Sequence, residues 1–151
     1  MHDNLLSRGI VISLIVLGGL ACLSCNGLRV YVGNTVPPDF TFNAGIFAEC
    51  CTDFRLFVVA EEGSDRPLWR IIASKKIVDR TEANSLVIHY GKLPGRFEQE
   101  IPASGEPPPL VGGKTYLAVA GGTNYYPWAR VRFMVKDNRI VSLPVKPGDL
   151  P

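Results

Sequence analysis

The amino-acid sequence predicts an all-β protein folded as a single antiparallel β-sandwich, and three features carry that prediction. Short runs rich in Val, Ile, Tyr, Phe and Trp alternate with turn residues at a spacing of roughly ten residues. No segment keeps the apolar period of a helix. The 151 residues suit one domain, and no internal repeat indicates a solenoid or a propeller.

The first half of this domain supplies four predicted strands. Residues 28–32 form the first, and Pro37-Pro38 imposes an extended entry into the second, 40–42. That second strand is expected at a sheet edge, because proline cannot donate to a β-ladder. The nearly continuous apolar run 55–60 predicts a central strand that is covered on both faces. Residues 68–73 form the fourth predicted strand, which alternates around Trp69 and Ile71.

The second half begins with the polar segment 75–84, expected to be a loop or a short helix. Strands are predicted at 86–90 and 97–101, and the Pro-rich segment 103–109 is expected to cross to the other end of the sheet. Three late strands follow at 115–120, 129–135 and 139–143. The total of eight or nine strands is typical of a sandwich.

The N-terminus predicts a bacterial export signal. Arg8 precedes an apolar run from Ile10 to Leu23, which is shorter than the about 20 residues that a membrane-spanning helix needs. The chain therefore divides into a signal segment, 1–24, and one β domain, 25–151, whose Pro-rich end, 144–151, is expected to be a flexible tail. The alternative is an uncleaved anchor that extends through Cys25.

Two cysteines at the end of this run carry a resemblance. Ala21-Cys22 and Ser24-Cys25 each place a small residue before a cysteine, which resembles the lipobox of bacterial lipoproteins. The match departs from the usual box, because Gly19 and Cys22 stand where Leu is common. The resemblance implies cleavage before Cys22 or Cys25, acyl chains on that cysteine, and a membrane-anchored protein on the periplasmic or outer face of the envelope. Cleavage at Cys25 leaves an even pair of cysteines, whereas the residues before Cys22 fit the box better, so both sites stay open.

A second resemblance concerns the fold. The segment Leu110–Tyr116, followed by Leu117–Ala120, resembles the E–F corner of fibronectin type III and immunoglobulin-like domains. That resemblance implies a tyrosine corner, in which the hydroxyl of Tyr116 bonds to backbone a few residues upstream, and it makes Trp69 a core aromatic. A transthyretin-like sandwich is the other architecture considered.

Cys50 and Cys51 are the only adjacent cysteines, and His89 is the only histidine after the signal segment. The cysteines are expected to pack as small apolar side chains or to form a disulfide or thiol site. A Cys–His pair oriented by Asp53 makes a small envelope enzyme conceivable. No local motif supports that chemistry, so the sequence predicts a protein that is not an enzyme.

The loop 121–128 is the strongest candidate binding segment, because it lies between two late strands and is rich in aromatic residues. Its candidate residues are Asn124, Tyr125, Tyr126 and Trp128. Tyrosine and tryptophan give contact area at low entropic cost, so this loop is expected to bind a protein or glycan. Alternatively, Tyr126 and Trp128 fold back over the core.

Composition and motifs exclude several functions. A formal net charge of +2 gives no basic patch for nucleic acid. P-loop, dinucleotide and nucleophile-elbow motifs are absent from the sequence, and we expect neither cofactor nor metal. Glu98 and Glu100 are expected on the wet side of a sheet, and the Glu61–Asp65 turn in solvent. The resulting expectation is a membrane-tethered, non-catalytic interaction or structural module, or a scaffold in a secretion or envelope complex.

Overall fold

A computed structural model describes residues 28–45, 54–77, 80–122 and 127–146, apart from the side chains of Lys76, Pro127 and Trp128. The described residues form nine strands and one short helix. These are β1 Arg29–Val32, β2 Asp39–Asn43, β3 Phe54–Glu61, β4 Pro67–Ile77, α1 Arg80–Ser85, β5 Val87–His89, β6 Phe97–Ile101, β7 Thr115–Gly121, β8 Pro127–Lys136 and β9 Arg139–Leu143.

The strands form two antiparallel sheets, which confirms the predicted all-β sandwich. The small sheet has the order β1-β2-β5, and the large sheet has the order β6-β4-β3-β7-β8-β9. The expectation of an edge position for strand 40–42 is wrong, because β2 pairs with β1 on one side and β5 on the other; Pro37 and Pro38 precede the strand and take no place in its ladder. Strands that follow each other in the chain and pair in the large sheet are β3–β4, β7–β8 and β8–β9. The chain also crosses between the sheets three times before β7, so each sheet is built from distant parts of the sequence.

An aromatic core joins the two sheets. Phe40 of the small sheet lies 4.9 Å from Phe57 of the large sheet, and Phe42 lies 4.9 Å from Phe54, measured between ring centroids. Trp69 packs edge-on against Phe57 and is fully buried. These side chains stand at alternate positions of their strands, because successive residues of a strand point to opposite faces.

The apolar run of β3 lies at the centre of the large sheet, between β4 and β7, as its composition predicts. Phe57 and Val59 face the core and are fully buried, whereas Leu56, Val58 and Ala60 face outwards and are partly buried. Within the described part of the chain, the inner face of β3 is therefore fully covered and its outer face is covered in part.

The polar segment before β5 contains the helix α1. Its Asn84 side chain accepts a hydrogen bond of 2.6 Å from the backbone N–H of Ala44, which ties the helix to the end of β2. Glu82 forms an ion pair with Arg96, ahead of β6. Among the residues described, no helix has the length and apolar character needed to span a membrane.

Candidate binding groove

Most of the site residues predicted from sequence lie outside the described residues. They are Cys22, Cys25, Cys50, Cys51, Asn124, Tyr125 and Tyr126. Trp128 belongs to β8, but its side chain is not described. The lipidation site, the cysteine pair and the aromatic loop therefore stay predictions, and the described geometry directs attention to another part of the molecule.

Tyr116 has the contact that the tyrosine-corner pattern calls for. It lies near the start of β7, is 1% exposed and stacks on Phe133. Its hydroxyl accepts a 2.7 Å hydrogen bond from the backbone N–H of Val111, five residues upstream. The same hydroxyl lies 3.4 Å from the carbonyl oxygen of Val111. A core tyrosine thus holds the chain where it enters the large sheet.

Tyr116 is one of three side chains that form hydrogen bonds with the backbone of residues 102–114. These residues are a crossing between β6 and β7 without regular secondary structure. Long connections of this kind are usually functional or disordered. The side-chain amide of Gln99 donates to the carbonyls of Pro102 at 2.9 Å and Gly105 at 2.8 Å. Its amide oxygen accepts from the indole N–H of Trp69 at 2.9 Å. The side chain of Gln99 therefore connects the start of the crossing to the buried Trp69.

Tyr90 supplies the third of these contacts, in the middle of the crossing. Its hydroxyl donates a 2.8 Å hydrogen bond to the carbonyl of Pro108, and its backbone N–H donates to Pro38. The ring packs edge-on against Trp69 at 5.4 Å. Burial raises the pKa of Tyr90 well above its ordinary value, so the hydroxyl keeps the proton that it donates.

These contacts build a cleft at one end of the sandwich, which we call the proline cleft. It encloses about 410 Å³ and is lined by Val36, Pro37, Tyr90, Gly91, Glu106, Pro107, Pro109 and Leu110. Gly91 has a φ of 82°, a conformation that side chains other than glycine rarely adopt, and this turn brings it against Pro107. The volume falls in the range of small-molecule and peptide side-chain pockets, about 300–1,000 Å³.

A second cleft adjoins the first and shares Val36 with it; we call it the turn cleft. It encloses about 460 Å³ between the β1–β2 loop and the β8–β9 turn, and its other lining residues are Asn34, Thr35, Asn138 and Arg139. Asn138 has a positive φ of 56°, as the tight hairpin turn requires. The backbone N–H of Ile140 donates to the carbonyl of Asn34 at 3.0 Å and holds loop and hairpin together.

Together the two clefts form what we call the end groove. Its middle is apolar at Val36, one end carries the exposed carboxylate of Glu106, and the other carries the exposed guanidinium of Arg139. Sequence reasoning missed this groove, because its lining residues come from four separate segments. The only local signal is the Pro-rich run before Tyr116, and that run by itself predicts a crossing.

His89 lies on the outer face of the small sheet. Its Nδ1 is 2.6 Å from Oδ1 of Asp39 on the neighbouring strand, and both side chains are about half exposed. The histidine therefore has a cross-strand carboxylate partner other than the Asp53 considered from sequence. The two cysteines proposed to act with it lie outside the described residues, so the Cys–His hypothesis is not tested.

The acidic turn after β3 is more than a solvated turn. Glu62 accepts hydrogen bonds from Arg132 at 2.8 Å and from Lys146 at 2.7 Å. These bonds lower the pKa of Glu62 from 4.5 to about 2, Arg132 being the larger cause. Beside it, Lys114 lies 2.7 Å from Glu61, and that hydrogen bond raises the pKa of Lys114. The partners lie 53 to 84 residues away in sequence, so no local pattern indicated them.

Glu98 and Glu100 are both exposed on one face of β6, while Phe97 points into the core, as the sequence predicted. Glu100 pairs with Arg70 of β4 at 2.7 Å. Within residues 28–45, 54–77, 80–122 and 127–146, no group of three or more His, Cys, Asp or Glu side chains is placed to hold a metal ion. Comparison with protein-family models, with curated proteins and with solved structures gave no match for this chain.

Proposed function

We propose that this protein is exported by a bacterium, is tethered to the membrane through acyl chains on Cys22 or Cys25, and binds a partner protein of the envelope without catalysing a reaction. The observation that carries the binding role is the end groove. Its Pro-rich wall is held by Gln99, Tyr90 and Tyr116, so little conformational freedom remains to be lost on binding. A preformed cleft with apolar walls and a few polar groups is the usual form of a binding site, and the proline cleft has that form, with the polar turn cleft beside it.

The chemistry of the groove fits a peptide segment of a protein better than a free glycan. Its described walls combine proline rings with a buried tyrosine, whereas sugars are typically held on exposed aromatic faces. Glu106 at one end complements a basic side chain, and Arg139 at the other complements an acidic one. The glycan alternative depends on the loop 121–128.

The strand order supports the resemblance to fibronectin type III and immunoglobulin-like domains. If β1, β2 and β5 correspond to strands A, B and E of those domains, and β3, β7 and β8 to strands C, F and G, both sheets have the expected neighbours. Tyr116 then stands on strand F. This supports a role as a binding module, since such domains present their loops at the two ends of the sandwich.

A second candidate function is a scaffold component of a secretion or envelope complex. A scaffold needs at least two separate contact surfaces, and the partly exposed apolar outer face of the large sheet is distinct from the end groove. The two candidates differ in how many partners the protein holds at the same time.

Photo-crosslinking in cells tests the groove. A benzophenone amino acid at Val36, which lines both clefts, should give one discrete adduct of higher mass from the full chain. The double substitution Glu106→Gln and Arg139→Gln should reduce that adduct several-fold. Asp65→Asn, in the exposed β3–β4 turn, is the matched charge-removing control and should leave the adduct unchanged. An absence of adduct, or an equal loss in the control, would contradict the binding role.

Intact-mass spectrometry of the membrane-extracted protein tests the tether separately. The expected mass corresponds to a chain cleaved before Cys22 or Cys25 that carries acyl chains. Replacing both cysteines with serine should release the protein from the membrane fraction. A mass that begins at Met1 would reject the export proposal and leave the groove experiment intact.

A further inference from the structure

The two ends of the sandwich differ in how the chain reaches them. The first described residue, Leu28, is buried next to β1, at the end opposite to the end groove. At that end Arg29 pairs with Asn43, and Asn84 of α1 accepts a hydrogen bond from Ala44. The end groove lies at the other end, where the β1–β2 loop meets the β8–β9 turn. We call the end that contains Leu28 the tether end, because the proposed lipidation sites precede it in the chain.

The link between the tether end and the proposed acyl chains is short. Leu28 follows Cys25 by three positions and Cys22 by six. An extended chain spans at most about 3.5 Å per residue, so the link reaches about 10 Å from Cys25 or about 21 Å from Cys22. The end groove is farther away by the length of the strands, which is roughly 25 Å for the eight residues of β3.

Exposed basic residues lie at the tether end. Arg29 begins β1, Lys75 lies near the end of β4, and Arg80 begins α1, and all three side chains are exposed. The pairing of Ile77 with Phe54 and the contact of α1 with β2 place them at the same end of the sandwich. These three cations therefore surround the point from which the chain runs towards the membrane.

The acidic residues of the tether end do not cancel this charge. Within the described part of the chain, Glu82 is the acidic residue of this end, and it pairs with Arg96. Basic residues outnumber acidic ones even when Glu49, Asp53 and Asp79, which lie outside the described residues, are counted here. The basic residues of this end are Arg29, Arg55, Lys75, Lys76, Arg80 and Arg96.

The rest of the domain has no such excess of positive charge. Lys114 pairs with Glu61 and Lys146 pairs with Glu62, both near the end-groove side of the large sheet. The exposed residues on that side carry both signs. They include Arg66, Lys92, Lys136 and Arg139, and Asp65, Glu106 and Asp137. The positive excess is therefore concentrated at the tether end.

We propose that the tether end lies on the anionic phospholipid surface to which the acyl chains attach the protein, so that the end groove is presented away from that membrane. This inference rests on the proposed lipid tether. Basic side chains are attracted to anionic lipids within about one Debye length, ~8 Å at physiological ionic strength, and the link from Cys25 is of comparable length. Stable anchoring commonly combines acyl chains with a basic patch. A partner protein then reaches the groove from the side that faces away from the membrane.

Fluorescence quenching on vesicles tests this orientation with the full lipidated protein. A fluorescent amino acid replaces Asn43, exposed at the tether end, or Val111, exposed beside the proline cleft, and the quencher is a nitroxide on the lipid headgroups. On vesicles of phosphatidylcholine and phosphatidylglycerol, quenching at Asn43 should exceed quenching at Val111 at least about threefold. On phosphatidylcholine alone, or in high salt, quenching at Asn43 should fall about twofold, because the attraction is absent or screened.

Charge removal tests the basic residues themselves. The triple variant Arg29→Gln, Lys75→Gln and Arg80→Gln should lower the quenching at Asn43 on anionic vesicles to its value on neutral vesicles. Thermal unfolding checks that this variant folds. If it does not fold, the dependence of the wild-type protein on lipid charge and on salt decides the proposal.

The matched control removes the same charge from the rest of the surface. The triple variant Arg66→Gln, Lys92→Gln and Lys136→Gln should leave the quenching at Asn43 unchanged. An equal loss in both triple variants would overturn the proposal, since net charge and not the tether end would then attract the membrane.

Flotation with neutral vesicles separates this inference from the tether on which it rests, because acyl chains need no lipid charge to bind. Protein that floats with neutral vesicles, but shows equal quenching at Asn43 and Val111 or no response to lipid charge, would overturn the orientation and leave the tether intact. Protein that does not float with neutral vesicles would contradict the tether and this proposal together.

Discussion

The two sheets share one core but present different faces to solvent. Across the outer face of the small sheet, Tyr31, Thr41 and Val87 form one cross-strand row, and Asp39 and His89 form the next. The outer face of the large sheet is apolar at its centre instead, with charged residues towards its edges. The outer face of the small sheet thus mixes polar residues with the exposed side chains of Tyr31 and Val87, whereas the apolar side chains at the centre of the large sheet are partly buried.

This difference separates two constraints on sequence. The inner positions of both sheets must be apolar for the protein to fold, so their composition says nothing about function. The outer positions need not be apolar for folding, and large exposed apolar patches in soluble proteins usually mark interaction sites. Thr41 and Val58 each stand next to a buried phenylalanine on their strands, so the two sheets are alike at these inner positions and differ in polarity at the outer ones.

The largest expected loss of stability comes from substitutions in the core. These substitutions test whether the inner faces of the two sheets contribute equally to the unfolding free energy. Phe40→Ala in the small sheet and Phe57→Ala in the large sheet should each cost about 3–5 kcal/mol of unfolding free energy, because both side chains are fully buried and the cavity closes only in part. Urea denaturation followed by fluorescence measures the change. Since domains of this size are stable by about 5–15 kcal/mol, either variant can fall close to the unfolding threshold.

The outer faces supply the matched controls for that comparison. Thr41→Ala and Val58→Ala change the neighbouring outward positions and should cost much less than the inner substitutions. A small loss for Phe40→Ala beside a large loss for Phe57→Ala would show that the small sheet contributes little to the common core. The comparison between two sheets around one core would then fail.

A smaller loss of unfolding free energy is expected for the tyrosines that bind the crossing 102–114. Tyr116→Phe removes the hydroxyl that accepts from the N–H of Val111, and should cost about 0.5–1.5 kcal/mol. The amide of Val111 should exchange with solvent faster in this variant, as hydrogen-exchange mass spectrometry or NMR can measure. Tyr90→Phe, which removes the bond to Pro108, is the companion variant and should loosen the proline cleft. If the amide of Val111 exchanges at the same rate in Tyr116→Phe as in the wild type, a water molecule satisfies this amide as well as the hydroxyl does.

The sequence predicts the strands well, because each strand needs only a local pattern. The apolar runs 68–73 and 55–60 place β4 and β3 without knowledge of their neighbours. The Pro-rich segment 103–109 likewise predicts a crossing, and the resemblance of residues 110–116 to an E–F corner implies the backbone contact of Tyr116. Local patterns failed where a site depends on residues from distant segments, as in the end groove. Likewise, Glu62 has a partner 84 residues away in Lys146, and nothing in its own turn indicates that contact.

The ion pairs of Glu62 make the stability of the protein depend on pH. The hydrogen bonds from Arg132 and Lys146 hold the pKa of Glu62 at about 2, below its ordinary 4.5. Above pH 4.5 this carboxylate is ionised in both the folded and the unfolded chain, so its stabilisation is fully present. As the pH falls from 4.5 towards 2 the unfolded chain binds the proton first, and that stabilisation is lost. Urea unfolding at several pH values should show a smaller decline in this interval for Glu62→Gln than for the wild type.

Two substitutions serve as controls for this prediction, one in the same turn as Glu62 and one on the outer face of the small sheet. Asp65→Asn, which removes a carboxylate near Glu62, should keep the wild-type decline. His89→Gln removes the exposed contact with Asp39 on the small sheet and should change stability by at most about 0.5 kcal/mol, because exposed pairs gain little over their hydration. If Glu62→Gln retains the full decline, the Glu62 network does not stabilise the large sheet. A loss for His89→Gln larger than that for Tyr116→Phe would show that the small sheet, too, depends on a contact at its outer face.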